Sequence, residues 1–230
     1  MVGRFAGVLM ALMVLAGCDS EAPPAAPAVE ATRTAVAEVP VSGPERRILA
    51  FGNSLFAGYN VASGEAYPAR LQAALRARGI NAEVVNAGVS GDTTQAGRAR
   101  LAFTLDAQEE VPDLVILELG GNDLLRGLPV AQTRANLAAM LGELRERGIP
   151  VLLMGMRAPP NLGADYVAQF DAIYPELARE YDAELVPFFL QSVFDQPQLI
   201  QADRVHPTAE GIEALVAATV DDVVEALPEE

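Results

Sequence analysis

Short, almost wholly apolar runs alternate with helical segments along most of this chain, and this alternation constrains the fold more than any other feature. Five strands are predicted, at Ile48–Phe51, Glu83–Asn86, Leu114–Leu119, Pro150–Met154 and Glu184–Val186. Strands that are apolar on both faces are typical of a parallel sheet that is covered on both sides. Right-handed crossovers between such strands then give a three-layer α/β/α domain.

Helices are predicted between these strands and after the last one. Their expected spans are Tyr67–Arg78, Thr93–Gln108, Val130–Arg147, Ala164–Tyr181 and Ala209–Ala226. Glycine directly follows the first and third of them, which is a common way for a helix to end. We expect one domain over residues 45–230, a length that allows a full hydrophobic core.

The first 17 residues predict an export signal. Arg4 precedes the apolar stretch Phe5–Ala16, which is too short to span a bilayer as a stable helix, so a cleaved signal is favoured over an anchor. Small residues before Cys18 resemble a bacterial lipobox, in which the cysteine is lipidated. The alternative is an ordinary secretory signal with a chance cysteine.

Residues 18–44 are rich in Ala and Pro and lack apolar periodicity, so we expect a lipidated cysteine followed by a flexible tether. The expected location is the bacterial envelope, as a lipoprotein that is anchored to a membrane and faces the periplasm. Asp19 slightly favours the inner membrane. Cys18 is the only cysteine, so a disulfide within the chain and a thiol-based metal site are excluded.

The charge balance excludes other classes of partner. The formal net charge is −15, and every basic residue is arginine. Such a balance argues against nucleic-acid binding and against a polybasic membrane-binding patch. We expect a small-molecule or lipid substrate, and a monomer or weak oligomer.

Unusual polar residues follow the predicted strands. Gly52-Asn53-Ser54 follows the first strand, Gly88–Asp92 the second and Gly120–Asp123 the third, while Asp203–His206 precedes the last helix. In open parallel sheets the ligand site lies outside the carboxyl ends of the strands. These four loops are therefore expected to converge on one rim and to form a site.

His206 is the only histidine, which makes it the leading candidate for acid–base chemistry near neutral pH. Asp203 can fold back and hold the second ring nitrogen. Ser54 lies at a strand-to-helix turn, where a base can activate its hydroxyl as a nucleophile. The alternatives are a helix-capping serine and an incidental surface histidine.

An acyl-transfer site also needs donors for the oxyanion. The backbone N–H groups of Ser54 and Gly91 and the side-chain amide of Asn122 can supply three donors from three loops. We interpret Asp92 and Asp123 as helix caps or loop braces rather than as catalytic acids.

Four blocks of sequence together resemble a known family. Gly52–Leu55, Asn86–Thr93, Glu118–Asp123 and Asp203–Pro207 resemble, in order and spacing, the blocks of the GDSL or SGNH hydrolases. The likeness extends over the whole domain. It is closest to the periplasmic bacterial branch of multifunctional thioesterase, arylesterase and lysophospholipase enzymes.

The resemblance implies a flavodoxin-like α/β/α sandwich around a five-stranded parallel sheet, with no metal and no organic cofactor. It also implies that Ser54 is the nucleophile, with Asp203 and His206 as the other triad members. Gly91 and Asn122 would be oxyanion donors together with the Ser54 amide. These roles agree with those argued from the residues.

One departure from the family pattern stands beside the nucleophile. The first block of the family usually reads Gly-Asp-Ser-Leu, and this chain has Asn53 at the second position. We expect the change to affect rate or substrate preference more than reaction type, because that aspartate is not the triad acid of the family.

The expected function is a serine esterase that hydrolyses carboxylic esters or thioesters, of arylesterase, lysophospholipase or acyl thioesterase type. An acyl pocket is predicted between the loop after the third strand and the Met156–Tyr166 loop. The alternatives are an O-acetyl esterase that acts on envelope carbohydrate, a flavodoxin-like binding protein for FMN or another phosphate ligand, and a non-catalytic lipoprotein.

Overall fold

Five parallel strands form a single sheet in the order β2-β1-β3-β4-β5. The computed structural model describes residues 41–229. Its strands are β1 (Arg46–Gly52), β2 (Ala82–Gly88), β3 (Leu114–Glu118), β4 (Val151–Met154) and β5 (Glu184–Val186). The predicted five-stranded parallel sheet is confirmed, in the flavodoxin-like strand order. The predicted signal peptide, Cys18 and the tether as far as residue 40 lie outside the described residues.

Helices cover the sheet in two groups. They are α1 (Ser54–Ala57), α2 (Tyr67–Ala77), α3 (Thr94–Asp106), α4 (Gly121–Leu125), α5 (Val130–Glu146), α6 (Ala164–Asp171), α7 (Ile173–Tyr181) and α8 (Ala209–Ala226). Helices α2 and α8 pack against each other, whereas α5 packs between α3 and α7. This arrangement is the predicted three-layer sandwich. Within residues 41–229 no helix has both the length and the apolar character that a bilayer span needs.

The single helix predicted over Ala164–Tyr181 is wrong, because the structure divides it into α6 and α7. Pro175 explains the break. A proline inside a helix clashes with the carbonyl four residues earlier, here that of Asp171, and it lacks the N–H that would bind this carbonyl. Proline is tolerated in the first turn of a helix, and Pro175 is the third residue of α7. At the same break, the side chain of Asp171 accepts a hydrogen bond of 2.8 Å from the Ala158 N–H, which ties the end of α6 to the loop after β4.

An aromatic cluster fixes the short helix α1. Phe56 stacks on Tyr67 with 5.1 Å between ring centroids, and Phe189 meets Tyr67 edge-on at 5.0 Å. All three rings are buried. The hydroxyl of Tyr67 also shares a hydrogen bond of 2.7 Å with Thr219 Oγ1 on α8. Packing of Phe56 in this buried cluster therefore fixes the turn after β1.

Candidate active site

Ser54 is the first residue of α1, and one residue, Asn53, separates it from the end of β1. The preceding residue, Asn53, caps the helix, since its Oδ1 accepts a hydrogen bond of 3.0 Å from the Leu55 N–H. The single helical turn ends at Gly58, whose φ of +82° is a left-handed conformation that favours glycine. Ser54 thus stands on a tight turn at the carboxyl edge of the sheet.

The structure brings the predicted nucleophile, base and acid together. His206 Nε2 lies 2.8 Å from Ser54 Oγ, and His206 Nδ1 lies 2.7 Å from Asp203 Oδ2. A carboxylate only accepts hydrogen bonds, so Nδ1 carries the ring proton and Nε2 presents a lone pair to the serine hydroxyl. The arrangement can remove a proton from Ser54.

The segment that carries His206 is tied down at both ends. The Gln201 N–H donates to the His206 carbonyl at 2.8 Å, and the Thr208 N–H donates to the Leu199 carbonyl at 2.8 Å. Within the turn, Asp203 Oδ1 accepts from the N–H groups of Val205 and His206 at 3.0 and 3.1 Å. One oxygen of Asp203 therefore closes the turn while the other oxygen holds the imidazole.

The same contacts set the ionisation of Asp203. Partial desolvation acts to raise its pKa, but the hydrogen bonds from the His206 ring and from the Val205 and His206 N–H groups outweigh it. The net effect lowers the pKa of Asp203 to about 2. The carboxylate is therefore ionised at neutral pH and remains so well below its ordinary pKa.

The three predicted oxyanion donors lie on neighbouring loops. Asn122 Nδ2 donates to the Asp92 carbonyl at 2.9 Å, which leaves its second N–H for a ligand. Gly91 has a φ of +86°, and Arg126 Nη2 donates to its carbonyl at 2.7 Å. No acceptor among the described residues binds the N–H groups of Ser54 or Gly91. Both amides are thus available to a developing negative charge.

Asp92 and Asp123 brace the loops, as we interpreted them. Asp92 Oδ2 accepts from Arg100 Nε at 2.7 Å, and Arg100 Nη2 reaches the Gly52 carbonyl at 3.0 Å. Asp123 is buried and accepts from both the N–H and the Oγ1 of Thr94, at 2.8 and 2.5 Å. Neither carboxylate is placed for proton transfer to Ser54.

Two residues at the site have no role in our sequence-based predictions. Tyr59 stacks on the His206 ring, and Glu118 is a fully buried carboxyl that contacts Asn53. The signal for Glu118 was present, because a charged residue inside an otherwise apolar parallel strand needs a polar partner. Nothing in the sequence pattern marks Tyr59.

The two segments expected to form an acyl pocket are adjacent. The Met156 methyl lies 3.3 Å from the position that a Cβ on Gly121 would occupy. Each segment also carries an exposed apolar side chain, Leu125 on α4 and Leu162 in the loop after β4. Gly121 directly precedes Asn122, so the contact with Met156 brings the second segment next to the loop that carries this predicted donor.

Comparison with known proteins decides the family. Residues 50–214 match the model of the GDSL-like Lipase/Acylhydrolase family. This match covers well over half of the chain.

The chain belongs to the GDSL-like lipase/acylhydrolase family.

Two relatives with esterase or thioesterase names agree on the reaction class. The chain is 41% identical over 164 residues to an arylesterase from Vibrio mimicus, with 71% of this chain and 81% of the relative covered. It is 42% identical over 160 residues to thioesterase 1/protease 1/lysophospholipase L1 from Escherichia coli (strain K12), with coverages of 70% and 74%.

Solved structures of GDSL enzymes agree as well. AlinE4, an SGNH-hydrolase family esterase, is 63% identical with a TM-score of 0.69, covering 82% of this chain and 100% of that chain. TesA is 37% identical with a TM-score of 0.74, covering 79% and 100%. The protein is therefore a serine esterase or thioesterase with the SGNH-hydrolase fold, and our predictions of family, fold and reaction class are confirmed.

Proposed function

We propose that this GDSL enzyme hydrolyses esters by two-step acyl transfer, with Ser54 as nucleophile, His206 as general base and acid, and Asp203 as the residue that orients the imidazole. One observation carries the assignment. The hydrogen-bonded path from Ser54 Oγ through His206 to Asp203 is continuous, with separations of 2.8 and 2.7 Å. This is the geometry that activates a serine hydroxyl.

In the first step, Ser54 Oγ attacks the carbonyl carbon and its proton moves to His206 Nε2. The carbonyl oxygen becomes an oxyanion that accepts hydrogen bonds from the Ser54 and Gly91 N–H groups and from Asn122 Nδ2. The carbon–leaving-group bond then breaks while His206 returns the proton to the leaving oxygen or sulfur. In the second step His206 takes a proton from water, and the oxygen of this water attacks the carbonyl carbon of acyl-Ser54. The bond between this carbon and Ser54 Oγ then breaks while His206 returns the proton to Oγ, which releases the acid.

The substrate class is proposed from the two segments expected to form the acyl pocket. Exposed Leu125 and Leu162, with the buried Met156 beside Gly121, would favour a medium or long acyl chain over an acetyl group. Gly163, with a φ of +92°, ends the short helical turn that carries Leu162 and gives this loop a point at which to bend. Lysophospholipids present such a chain, as do those aryl esters and acyl thioesters whose acyl group is of medium or long length.

The location is proposed from the N-terminal sequence. A signal of 17 residues would be removed, Cys18 lipidated, and residues 18–44 would tether the domain to a membrane facing the periplasm, with the inner membrane slightly favoured by Asp19. An acyl-CoA pool is not expected there, so lipid-derived or aryl esters are the more natural substrates. Replacing Cys18 by Ser should move the protein from the membrane fraction to the soluble periplasmic fraction.

A p-nitrophenyl ester series from acetate to palmitate tests the proposal. Wild type should give its highest kcat/KM at medium or long chains, and Ser54→Ala should be inactive on every ester. Ser63→Ala, which removes an exposed hydroxyl outside the site, is the matched control and should behave as wild type.

Three results would point elsewhere. Activity on acetate alone would indicate the O-acetyl esterase of envelope carbohydrate. A yellow purified protein without esterase activity would indicate a flavin-binding protein. A colourless, folded and inactive domain would indicate a non-catalytic lipoprotein.

A further inference from the structure

Glu118, the last residue of β3, is completely buried, although its strand is otherwise apolar. Its carboxyl group reaches the turn beside the nucleophile. Asn53 Nδ2 donates to Glu118 Oε1 at 3.0 Å, and the Asn53 backbone N–H donates to Glu118 Oε2 at 3.3 Å. A Cβ on Gly52 would lie 2.8 Å from Phe56 Cδ2, 2.9 Å from the Glu118 carbonyl oxygen and 3.1 Å from Oε2, so glycine at this position lets the two strands and the carboxyl group approach closely. The mechanism described above does not use this buried acid.

The other end of the Asn53 side chain holds the nucleophile. Asn53 Oδ1 accepts from the Leu55 N–H at 3.0 Å and lies 3.4 Å from Ser54 Oγ. The amide cannot be rotated by half a turn, because its NH₂ group would then face the Leu55 N–H and its oxygen would face a carboxyl group. Glu118 thus fixes the orientation of Asn53, and Asn53 fixes the first turn of α1.

We propose that Glu118 is a positioning residue that locks the Asn53 amide and thereby holds Ser54 in line with His206. The inference rests on the proposed role of Ser54. Burial raises the pKa of Glu118 to about 7, although the two hydrogen bonds from Asn53 favour its charged form. The amide of Asn53 donates to either form of this carboxyl group, so the lock holds whether or not Glu118 is ionised.

The residue at position 53 therefore determines whether the side chain at position 118 must accept or donate a hydrogen bond. With an aspartate at 53, the pattern that the GDSL blocks usually show, two carboxyl groups would face each other, and they could not both ionise at this distance. One proton would have to be shared between them. The Asn53→Asp variant should consequently be folded and active while that proton is bound, and should lose activity as alkaline pH removes it.

Exchanging the amide and the acid between positions 53 and 118 should restore the hydrogen bonds that orient the side chain at position 53. In Glu118→Gln alone, the glutamine amide must turn its NH₂ group toward one of the two Asn53 donors, so one hydrogen bond is lost in either orientation. In the double variant Asn53→Asp/Glu118→Gln, the glutamine NH₂ donates to the new carboxylate, and its oxygen accepts from the backbone N–H of residue 53. Both hydrogen bonds between positions 53 and 118 are then restored.

Other charged groups near this pair are already engaged. Arg100 on α3 is paired with Asp92 and donates to the Gly52 carbonyl. Asp123 on α4 accepts from Thr94, and the Tyr174 hydroxyl on α7 donates to the Leu119 carbonyl at 3.0 Å. Burial raises the pKa of Tyr174, and the neighbouring Glu118 carboxylate raises it further. An alkaline loss that appears only in Asn53→Asp therefore reports the shared proton.

The experiment measures kcat and KM on one neutral ester from about pH 5 to about pH 10 for wild type, Asn53→Asp, Glu118→Gln and the double variant. Glu83→Gln, which removes an exposed carboxylate from β2, is the control for lost charge. Glu118→Gln should lower kcat about tenfold or more with little change in KM. The double variant should recover most of that loss, and Asn53→Asp alone should show a new alkaline limb.

A folded Glu118→Gln variant with the kcat and pH profile of wild type would overturn the proposal. So would a double variant that is no more active than the poorer single variant. If Glu118→Gln does not fold, the pH profile of Asn53→Asp and the rescue in the double variant decide the matter. Labelling of Ser54 by a phosphonate in wild type separates failure of this inference from failure of the proposed nucleophile.

Discussion

The ring of Tyr59 stacks on the imidazole of His206, with 4.2 Å between the ring centroids and 30° between the planes. The backbone of Tyr59 joins the same two segments, since its N–H donates to the Ser54 carbonyl at 3.3 Å and its carbonyl accepts from Gln201 Nε2 at 2.9 Å. The loop after α1 therefore contacts both the turn that carries Ser54 and the segment that carries His206. The stacking limits rotation of the imidazole away from Ser54.

Removing the Tyr59 ring should loosen the imidazole. We expect Tyr59→Ala to lower kcat roughly three- to tenfold, the range that corresponds to the loss of one aromatic contact. Tyr59→Phe keeps the ring and should retain the kcat of wild type. Steady-state kinetics on a p-nitrophenyl ester measure both, and equal losses in the two variants would show that the hydroxyl matters rather than the stacking.

Asn122 supplies a side-chain donor to the proposed oxyanion. Asn122→Ala should lower kcat on the order of 10²- to 10³-fold with a smaller change in KM, because the contact forms fully only in the transition state. Asn122 also binds the Asp92 carbonyl, so thermal unfolding of the variant should be measured in parallel. A folded variant with nearly wild-type kcat would remove Asn122 from the oxyanion hole.

Asp203 holds the imidazole in the tautomer that can accept a proton. In Asp203→Asn the side-chain amide can donate to Nδ1 and favour the wrong tautomer, so kcat should fall on the order of 10³- to 10⁴-fold. Because the pKa of Asp203 is lowered to about 2, its interactions persist above its ordinary pKa and are lost only as the pH falls through the folded value. Protonation of Asp203 should therefore cause no decline in the rate of wild type near pH 4, which a pH–rate profile measures.

Glu118 should make the stability of the fold depend on pH. Its pKa is raised to about 7 in the folded state, so between its ordinary value and about 7 the unfolded chain binds fewer protons than the folded chain. Stability should therefore fall as the pH rises through this window, by roughly 3 kcal/mol in all. Urea unfolding at several pH values measures the trend. Glu118→Gln should show a smaller decrease over the same window, and an identical decrease would contradict the assignment to Glu118.

Much of the fold could be predicted because its central strands β1, β3 and β4 are buried on both faces over most of their length. The apolar run of β3 and the glycine-rich loops at the strand ends imply a parallel sheet with a site at its carboxyl edge. The break between α6 and α7 was missed because hydrophobic periodicity continues across it. Pro175 decides that break through a steric clash with one carbonyl, which a periodic pattern does not reveal.

The candidate site, like the fold, could be predicted only in part. His206 could be proposed because it is the only histidine, and Ser54 and Asp203 because they occur in loops that one sheet edge was expected to bring together. The contact between Tyr59 and His206 could not be predicted, because it depends on the path of a loop. The link between Asn53 and Glu118 depends on the register of β1 against β3, which places Gly52 beside Glu118. A charged residue in the apolar strand β3 indicates that Glu118 needs a polar partner, but local sequence identifies neither that partner nor the contact between Tyr59 and His206.

The most direct test of the central claim is covalent labelling of the active enzyme with a fluorophosphonate, followed by intact-mass measurement and peptide mapping. An activated serine attacks such a reagent, whereas ordinary serines do not. We predict one adduct per chain, located on Ser54, formed in step with the loss of esterase activity and absent from Ser54→Ala. An adduct on another residue that accompanies inactivation, or full esterase activity in a folded Ser54→Ala protein, would contradict Ser54 as the nucleophile.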